Sequence, residues 1–196
     1  MRLRYLAQPA RLRDGRSAWI REVRADDERA MSRFISNLSP ASRYFRFMMG
    51  MRELSGDSLW HFTRPLPGQE AVLVATPGTS LSVITGVAQF VVDDGGESCE
   101  VALVIDDGWQ RQGLGSMLLS ELGTFAGRHG IKRMHADVLI DNHAMRRLAE
   151  RTGWEPRHDP ATPFVLRLSR LAPDIKPAAN LSPAHSAQAG IAGVVP

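Results

Sequence analysis

The chain has 196 residues, 43% apolar and 23% charged, which suits one globular domain with a real core and, lacking any run near the roughly 20 apolar residues of a membrane span, excludes a membrane partner. The formal charge is +3 and the sequence pI 9.6, yet no basic run is interleaved with aromatics, so nucleic acid is not an expected partner. Cys99 stands alone, which excludes an internal disulfide framework and, with an N-terminus that lacks the apolar stretch of a secretory signal, fits the reducing cytoplasm.

Residues 1–16 are polar and arginine-rich and read as a flexible basic N-terminus. "SAWIREV" (17–23) alternates as a strand does. Asp26 can cap a helix whose apolar face is Ala30, Met31, Phe34, Ile35 and Leu38. "LSPASRYFRFMMG" then restarts, with Ser39 as N-cap, Pro40 at the first helical position and Gly50 as the stop. "EAVLVAT" (70–76) is a strand of the buried type, and "LSVITGVAQFVVDD" (81–94) a second with Gly86 as a candidate bulge. "DDGG" (93–96) turns the chain into the next strand, "SCEVALVID" (98–106), which completes an antiparallel meander.

From Gly113 to His129 the pattern is helical, with Leu114, Met117, Leu118, Leu122, Phe125 and Ala126 on one face and Gly130 as the stop. "MHADVLI" (134–140) is a strand. Asp141 or Asn142 caps a last helix with Met145, Leu148 and Ala149 inward; Gly153 ends it, Trp154 packs back, and "PFVLRLS" (163–169) is the final strand. Strand alternating with helix in this half requires at least one parallel pair joined through a crossover. Residues 172–196, rich in Ala and Pro, read as a disordered tail, which leaves 17–171 as the domain.

The chemistry-bearing stretch is "GWQRQGLGSML" (108–118). Gly108 and Gly113 have the spacing of a Walker loop, but Leu114 and Gly115 stand where Lys and Ser or Thr are needed. A dinucleotide fingerprint needs a third glycine where Leu118 stands. What remains is Gln110, two residues, Gly113, one residue, Gly115, between a strand and a long amphipathic helix. Glycines there let a phosphate approach bare backbone. The unpaired N–H groups of the helix start and its dipole favour negative charge.

This motif resembles the acetyl-CoA signature of the GNAT acetyltransferases, Gln/Arg-x-x-Gly-x-Gly/Ala. The resemblance extends over roughly residues 17–169. "CEVALVIDDGWQRQGLG" is similar to the family's fourth strand and following loop, and "GIKRMHADVLIDNHAMRRLAERTGW" to the stretch that ends in Asn, a few residues, Leu, then Gly-Phe, here Gly153-Trp154. "LSPASRYFRF", with Leu38, Ser39, Pro40, Ser42, Arg43, Tyr44, Arg46 and Phe47, resembles the bacterial protein-lysine acetyltransferase branch. The fold so implied is α/β (α+β): a mixed central sheet of six to seven strands, an antiparallel N-terminal meander plus a parallel pair, flanked by about four helices.

The resemblance implies transfer of an acetyl group from acetyl-CoA, as co-substrate, to a primary amine, foremost a protein lysine, by a monomer or homodimer. A small-molecule amine acetyltransferase and a non-catalytic acyl-CoA-binding sensor are the alternatives. Glu100, ten residues before Gln110, matches the family's general base; Glu97 is a weaker candidate and His143 a third. Leu103, Val104 and Ile105 would pair with the pantetheine amides, and the N–H of Leu103 or Val104 would polarise the thioester carbonyl. Gln110, Arg111, Gln112, Gly113, Leu114, Gly115 and Ser116 would hold the pyrophosphate, with Arg111 and Arg146 in reach of the phosphates. Asn142 would serve both as helix cap and as a pantetheine partner. Tyr44 and Arg46 are assigned to the acceptor, and no metal is expected. Many family members place a Tyr after the last helix's Leu as general acid; here Ala149 follows Leu148. Cys99 is read as a small buried residue rather than a nucleophile. The seven acids of residues 65–107, which hold no Lys or Arg, suit a cationic acceptor, and the basic flanks an anionic cofactor.

Overall fold

The computed structural model, which describes residues 8–48, 53–158 and 160–174, forms one eight-stranded sheet. Its strands are β1 (Gln8–Arg11), β2 (Ser17–Glu22), β3 (Glu70–Pro77), β4 (Gly86–Val92), β5 (Ser98–Ile105), β6 (Arg133–Leu139), β7 (Glu155–His158) and β8 (Val165–Leu171). The helices are α1 (Glu28–Asn37), α2 (Pro40–Phe47), α3 (Gly56–Thr63), α4 (Leu114–Arg128) and α5 (His143–Arg151). The spatial order is β1-β2-β3-β4-β5-β6-β8-β7, and every neighbouring pair is antiparallel except β5–β6. The expected meander and parallel crossover are both present.

Period-two alternation divides the core between the two faces of the sheet. Leu73, Ala75, Phe90, Cys99, Val101 and Met134 point to one side, where Leu114, Leu118, Leu122 and Ala126 of α4 cover them. Val72, Val74, Val87 and Val104 point to the other, beneath Met31, Phe34 and Ile35 of α1, with Phe47, Leu59 and Phe62 at the margin. Strand β3 feeds both cores, which is why it reads as an unbroken apolar run. A buried ion pair pins the start of α1 to β2. Arg21 donates to both oxygens of Asp27 (2.6 and 2.7 Å), their side chains are 4% and 7% exposed, and the Arg24 N–H adds a bond to the same carboxylate at 2.7 Å.

Several expectations need correction. The sheet has eight strands rather than six or seven, because the polar segments "QPAR" and "EPRH" pair at its two edges as β1 and β7. Residues 8–16, read as loose, therefore belong to the fold. Helix α3 raises the helix count to five. Asp26 does not cap α1; Asp27 occupies the cap position and spends its carboxylate on Arg21. Helix α2 ends at Phe47, with Met48 left-handed at φ 53°, and the expected stop at Gly50 lies outside the described residues. The strand expected from 81 begins at Gly86, which is no bulge: its register to Ala75 and Ile105 is unbroken. A Cβ there would lie 2.8 Å from Ile105 Cδ1 and 2.9 Å from Leu118 Cδ1, so the glycine lets α4 seat on the sheet. Of the expected tail, Ala172 still donates its N–H to Lys132 O at 3.0 Å, and residues 175–196 lie outside the described ones.

Candidate active site

The carboxyl ends of the parallel pair meet two helix starts. After β5 the chain turns through Gln110 into α4; after β6 it turns through Asn142 into α5. Arg111 (φ 61°) and Gly113 (φ 95°) are left-handed, which turns successive N–H groups toward one side. Gly113 is the N-cap of α4, with no side-chain cap, and the helix's first bond runs from Met117 N–H to Gly113 O (3.2 Å). The N–H groups of Leu114, Gly115 and Ser116 precede it and are free of the ladder. A Cβ on Gly113 would meet nothing within 4 Å, so its left-handed backbone and open approach require glycine there. Gly115 is constrained differently: a Cβ would press Leu148 Cδ2 at 3.1 Å, so it lets α5 lean on α4. An open, donor-rich cradle at the positive end of a 15-residue helix fits a diphosphate.

The loop is braced from beneath. Arg16 stacks over the Trp109 ring at 4.0 Å and donates to Gly108 O at 2.9 Å, and Arg13 N–H reaches Gln112 O at 3.1 Å. The Gln110 amide, expected on the pyrophosphate, instead donates to Ile105 O (3.1 Å) and Ser42 Oγ (3.2 Å). Asp107 accepts from Ser39 N–H (2.9 Å), Ser39 Oγ (2.8 Å) and Ser42 Oγ (2.7 Å). Burial pushes the Asp107 carboxyl up, but these donors outweigh it and hold it below the ordinary carboxylate value. The serines of "LSPAS" are thus a clasp joining α2 to the cofactor loop. Arg146 turns to Ile140 O (2.9 Å), and Arg111 is exposed. Asn142 caps α5 by accepting the Met145 N–H at 3.1 Å.

Between the two helix starts the strands part. β5 pairs with β6 only over Ser98–Arg133, Cys99–Met134 and Glu100–His135. On the other side Asp106 N–H bonds Thr85 O, and Ser98 O accepts the Asp93 N–H, in one continuous register. Even-numbered residues of β5 therefore direct their backbone groups to β4, and odd-numbered ones away from it. Val101 presents its C=O, Leu103 both groups and Ile105 its N–H into the fork, since the Val101 N–H belongs to the last β6 pair and Ile105 O is taken by Gln110. This narrows the expectation for the strand edge: Leu103 offers its N–H there, whereas the Val104 N–H is turned to β4 and its side chain to the α1 core.

Glu100 sits at the vertex of the fork, half-buried, on the α1–α3 face. Arg46 of α2 bears on it electrostatically. The Arg46 guanidinium lies 4.9 Å from the Phe47 ring and 5.6 Å from the Phe62 ring, and burial pulls its pKa down to about 10 against the opposing effect of Glu100, so it stays charged at neutral pH. Tyr44, on the same helix, is 44% exposed. Glu97 is exposed and paired with Lys132, and His143 is exposed at the start of α5. Ala149 is buried against the core. Cys99 is fully buried, and burial with the nearby Asp93 pushes its thiol up to about 12, which leaves it unreactive. Among the described residues no three His, Cys, Asp or Glu side chains gather to hold a metal.

Sequence reasoning did not single out Asp107, Arg16 or His135. The alternation of "MHADVLI" puts His135 and Asp137 on one face, which was a usable signal for His135.

Comparisons with known proteins identify the family. The model of the acetyltransferase (GNAT) family matches residues 42–154. An acetyltransferase of Pseudomonas aeruginosa is 32% identical over 163 residues, covering 81% of this chain and 87% of that protein. The acetyltransferase Pat of Mycolicibacterium smegmatis is 31% identical over 147 residues, 74% of this chain and 43% of Pat, so the chain spans less than half of that relative. The crystal structure of the GNAT domain of S. lividans PAT superposes with a TM-score of 0.78 at 26% identity, over 84% of this chain and 96% of that domain. The chain therefore belongs to the GNAT acetyltransferase family, and is an N-acetyltransferase with acetyl-CoA as its co-substrate.

Proposed function

We propose that the chain acetylates the side-chain amine of a protein lysine, with Glu100 as general base. The observation that carries this reading is the position of Glu100: a carboxylate at the vertex of the β5–β6 fork, on the face bordered by α2. Acetyl-CoA supplies the activated acetyl thioester. A lysine amine is protonated at neutral pH and must lose a proton before it can attack. Glu100 accepts that proton, directly or through one water. The Leu103 N–H donates to the carbonyl oxygen as it gains charge. The C=O groups of Val101 and Leu103 and the Ile105 N–H pair with the pantetheine amides as an added strand would.

The N–H groups of Gln112, Gly113, Leu114, Gly115 and Ser116 hold the pyrophosphate, with Arg111 beside them. Gln110 holds the loop rather than the phosphates. Asn142 and Arg146 shape the far lip of the fork. Tyr44 and Arg46 line the acceptor side. Ala149 offers no acid. The protein-lysine assignment is supported by similarity to Pat proteins and by the "LSPASRYFRF" segment, which lies along the same face.

The test is thiol release from acetyl-CoA with a panel of lysine-bearing proteins, including acyl-CoA synthetases, beside free amino acids, polyamines and aminoglycosides. Release with a lysine-bearing protein is expected. Release with small amines alone would move the acceptor class, and tight acetyl-CoA binding without release for any acceptor would contradict turnover.

A further inference from the structure

Glu100 has a neighbour that the mechanism above does not use. His135 is its register partner on β6, in the last pair before the strands part. Paired residues on adjacent strands share a face, so His135 and Glu100 are neighbours on one face of the sheet. The ring is 18% exposed. Its Nε2 lies 3.0 Å from Asp93 Oδ2 and 3.2 Å from Oδ1, just past the end of β4. Ser98 Oγ donates to the same carboxylate. Burial pushes Asp93 up, but the Ser98 and His135 bonds outweigh this and hold it below the ordinary carboxylate range. An ionised carboxylate only accepts, so Nε2 carries the proton of the neutral ring and Nδ1 keeps a lone pair. That Nδ1 is buried with no hydrogen-bond partner among the described residues. Native interiors keep few such atoms. The charged groups around the pair are Asp93 after β4, Glu100 on β5, Asp137 on β6, Arg167 on β8 and Arg46 on α2. Arg167 is bound to Asp137 at 2.8 and 2.7 Å and bears on both Asp93 and Glu100.

We propose that His135, held by Asp93, positions Glu100 while it carries the proton removed from the acceptor. The ammonium N–H bond breaks and an O–H bond forms on Glu100. That O–H turns to donate to the lone pair on Nδ1 of His135, which stabilises the protonated base. The proton then leaves half-buried Glu100 for water, which resets the base. His135 acts through Glu100 and is a positioning residue. The proposal rests on the reading of Glu100 as the base.

His135→Gln is the informative variant, because it keeps an N–H donor for Asp93 and has no acceptor in the place of Nδ1. With an acceptor from the panel above, kcat is expected to fall about 10- to 100-fold near neutral pH. KM for acetyl-CoA is expected to hold, so that the loss falls on kcat, and the pH–rate profile to change shape. A wild-type rate and profile in His135→Gln would assign the ring a structural role and overturn the proposal. Ring-nitrogen NMR of the acetyl-CoA-free protein needs no acceptor. An unprotonated Nδ1 at neutral pH, with a signal that moves in Glu100→Gln, is expected; a protonated Nδ1, or a signal indifferent to Glu100, would overturn the proposal. If Glu100→Gln keeps full turnover, the base assignment fails and the role of His135 with it.

Discussion

The two sides of the fork are built from different parts of the chain. In the proposed function the cofactor side works through main-chain groups: the N–H groups at the start of α4 and the odd-numbered edge of β5. Side chains there mostly brace, as Gln110 and Arg16 do. The side proposed for the acceptor is instead made of side chains from separate elements: Arg46 from α2, Glu100 from β5, His135 from β6 and Arg167 from β8. A backbone site depends on φ and on room for a ligand. A side-chain site depends on register and on charges holding one another. The two should therefore fail in different ways when disturbed.

The largest effect is expected at the ion pair that pins α1 to β2, apart from both sides. Asp27→Ala leaves the buried Arg21 without its counter-ion, and should cost about 3–5 kcal/mol in urea-monitored unfolding. Gly113→Ala strikes the cofactor side alone. The φ of 95° imposes about 1–2 kcal/mol of strain on a residue with a Cβ. The added methyl also intrudes on the cradle, so calorimetry should show acetyl-CoA binding weakened by roughly 10-fold while the acceptor face stays as it was.

Asp107→Asn tests the joint between the two sides. The Asp107 carboxyl lies below its ordinary 3.8 in the folded chain. The unfolded state thus binds the proton more readily, and the clasp adds stability above about pH 4 that is lost as pH falls through the folded value. The variant should unfold more easily by about 1 kcal/mol at pH 7 and lose that part of the acid dependence, as thermal melts from pH 3 to pH 7 would record. A variant with unchanged melts would mean that α2 and the cofactor loop are not coupled through Asp107.

The same division explains how much could be read from residues alone. Gly113 and Gly115 were legible because glycines at fixed spacing before a helix are a residue-type signature, although their structural reasons differ: an open left-handed turn at Gly113 and the seating of α5 at Gly115. Glu100 was legible as a charge opening an apolar strand. Neither β1 nor β7 was, since four residues interrupted by a proline carry no readable alternation and their pairing is decided by β2 and β8. Helix α3 did carry a signal, the Ser55 hydroxyl that caps it by accepting the Ser58 N–H at 3.1 Å, but eight residues give little periodicity to support it. His135 and Asp93 gain their meaning only when β6 is set beside β5, across 42 residues of chain. The choice of Leu103 over Val104 likewise needed ladder parity, which no composition or spacing reveals.

The most direct test of the account is one variant, Glu100→Gln, followed by two readings on the same preparation. Calorimetric acetyl-CoA affinity should stay within about twofold, because the cradle is main-chain and lies at the far end of β5. Thiol release with the acceptor should fall on the order of 100-fold or more, the scale of a lost general base. Turnover equal to wild type, or affinity and turnover falling together, would contradict the division of labour between the two sides of the fork.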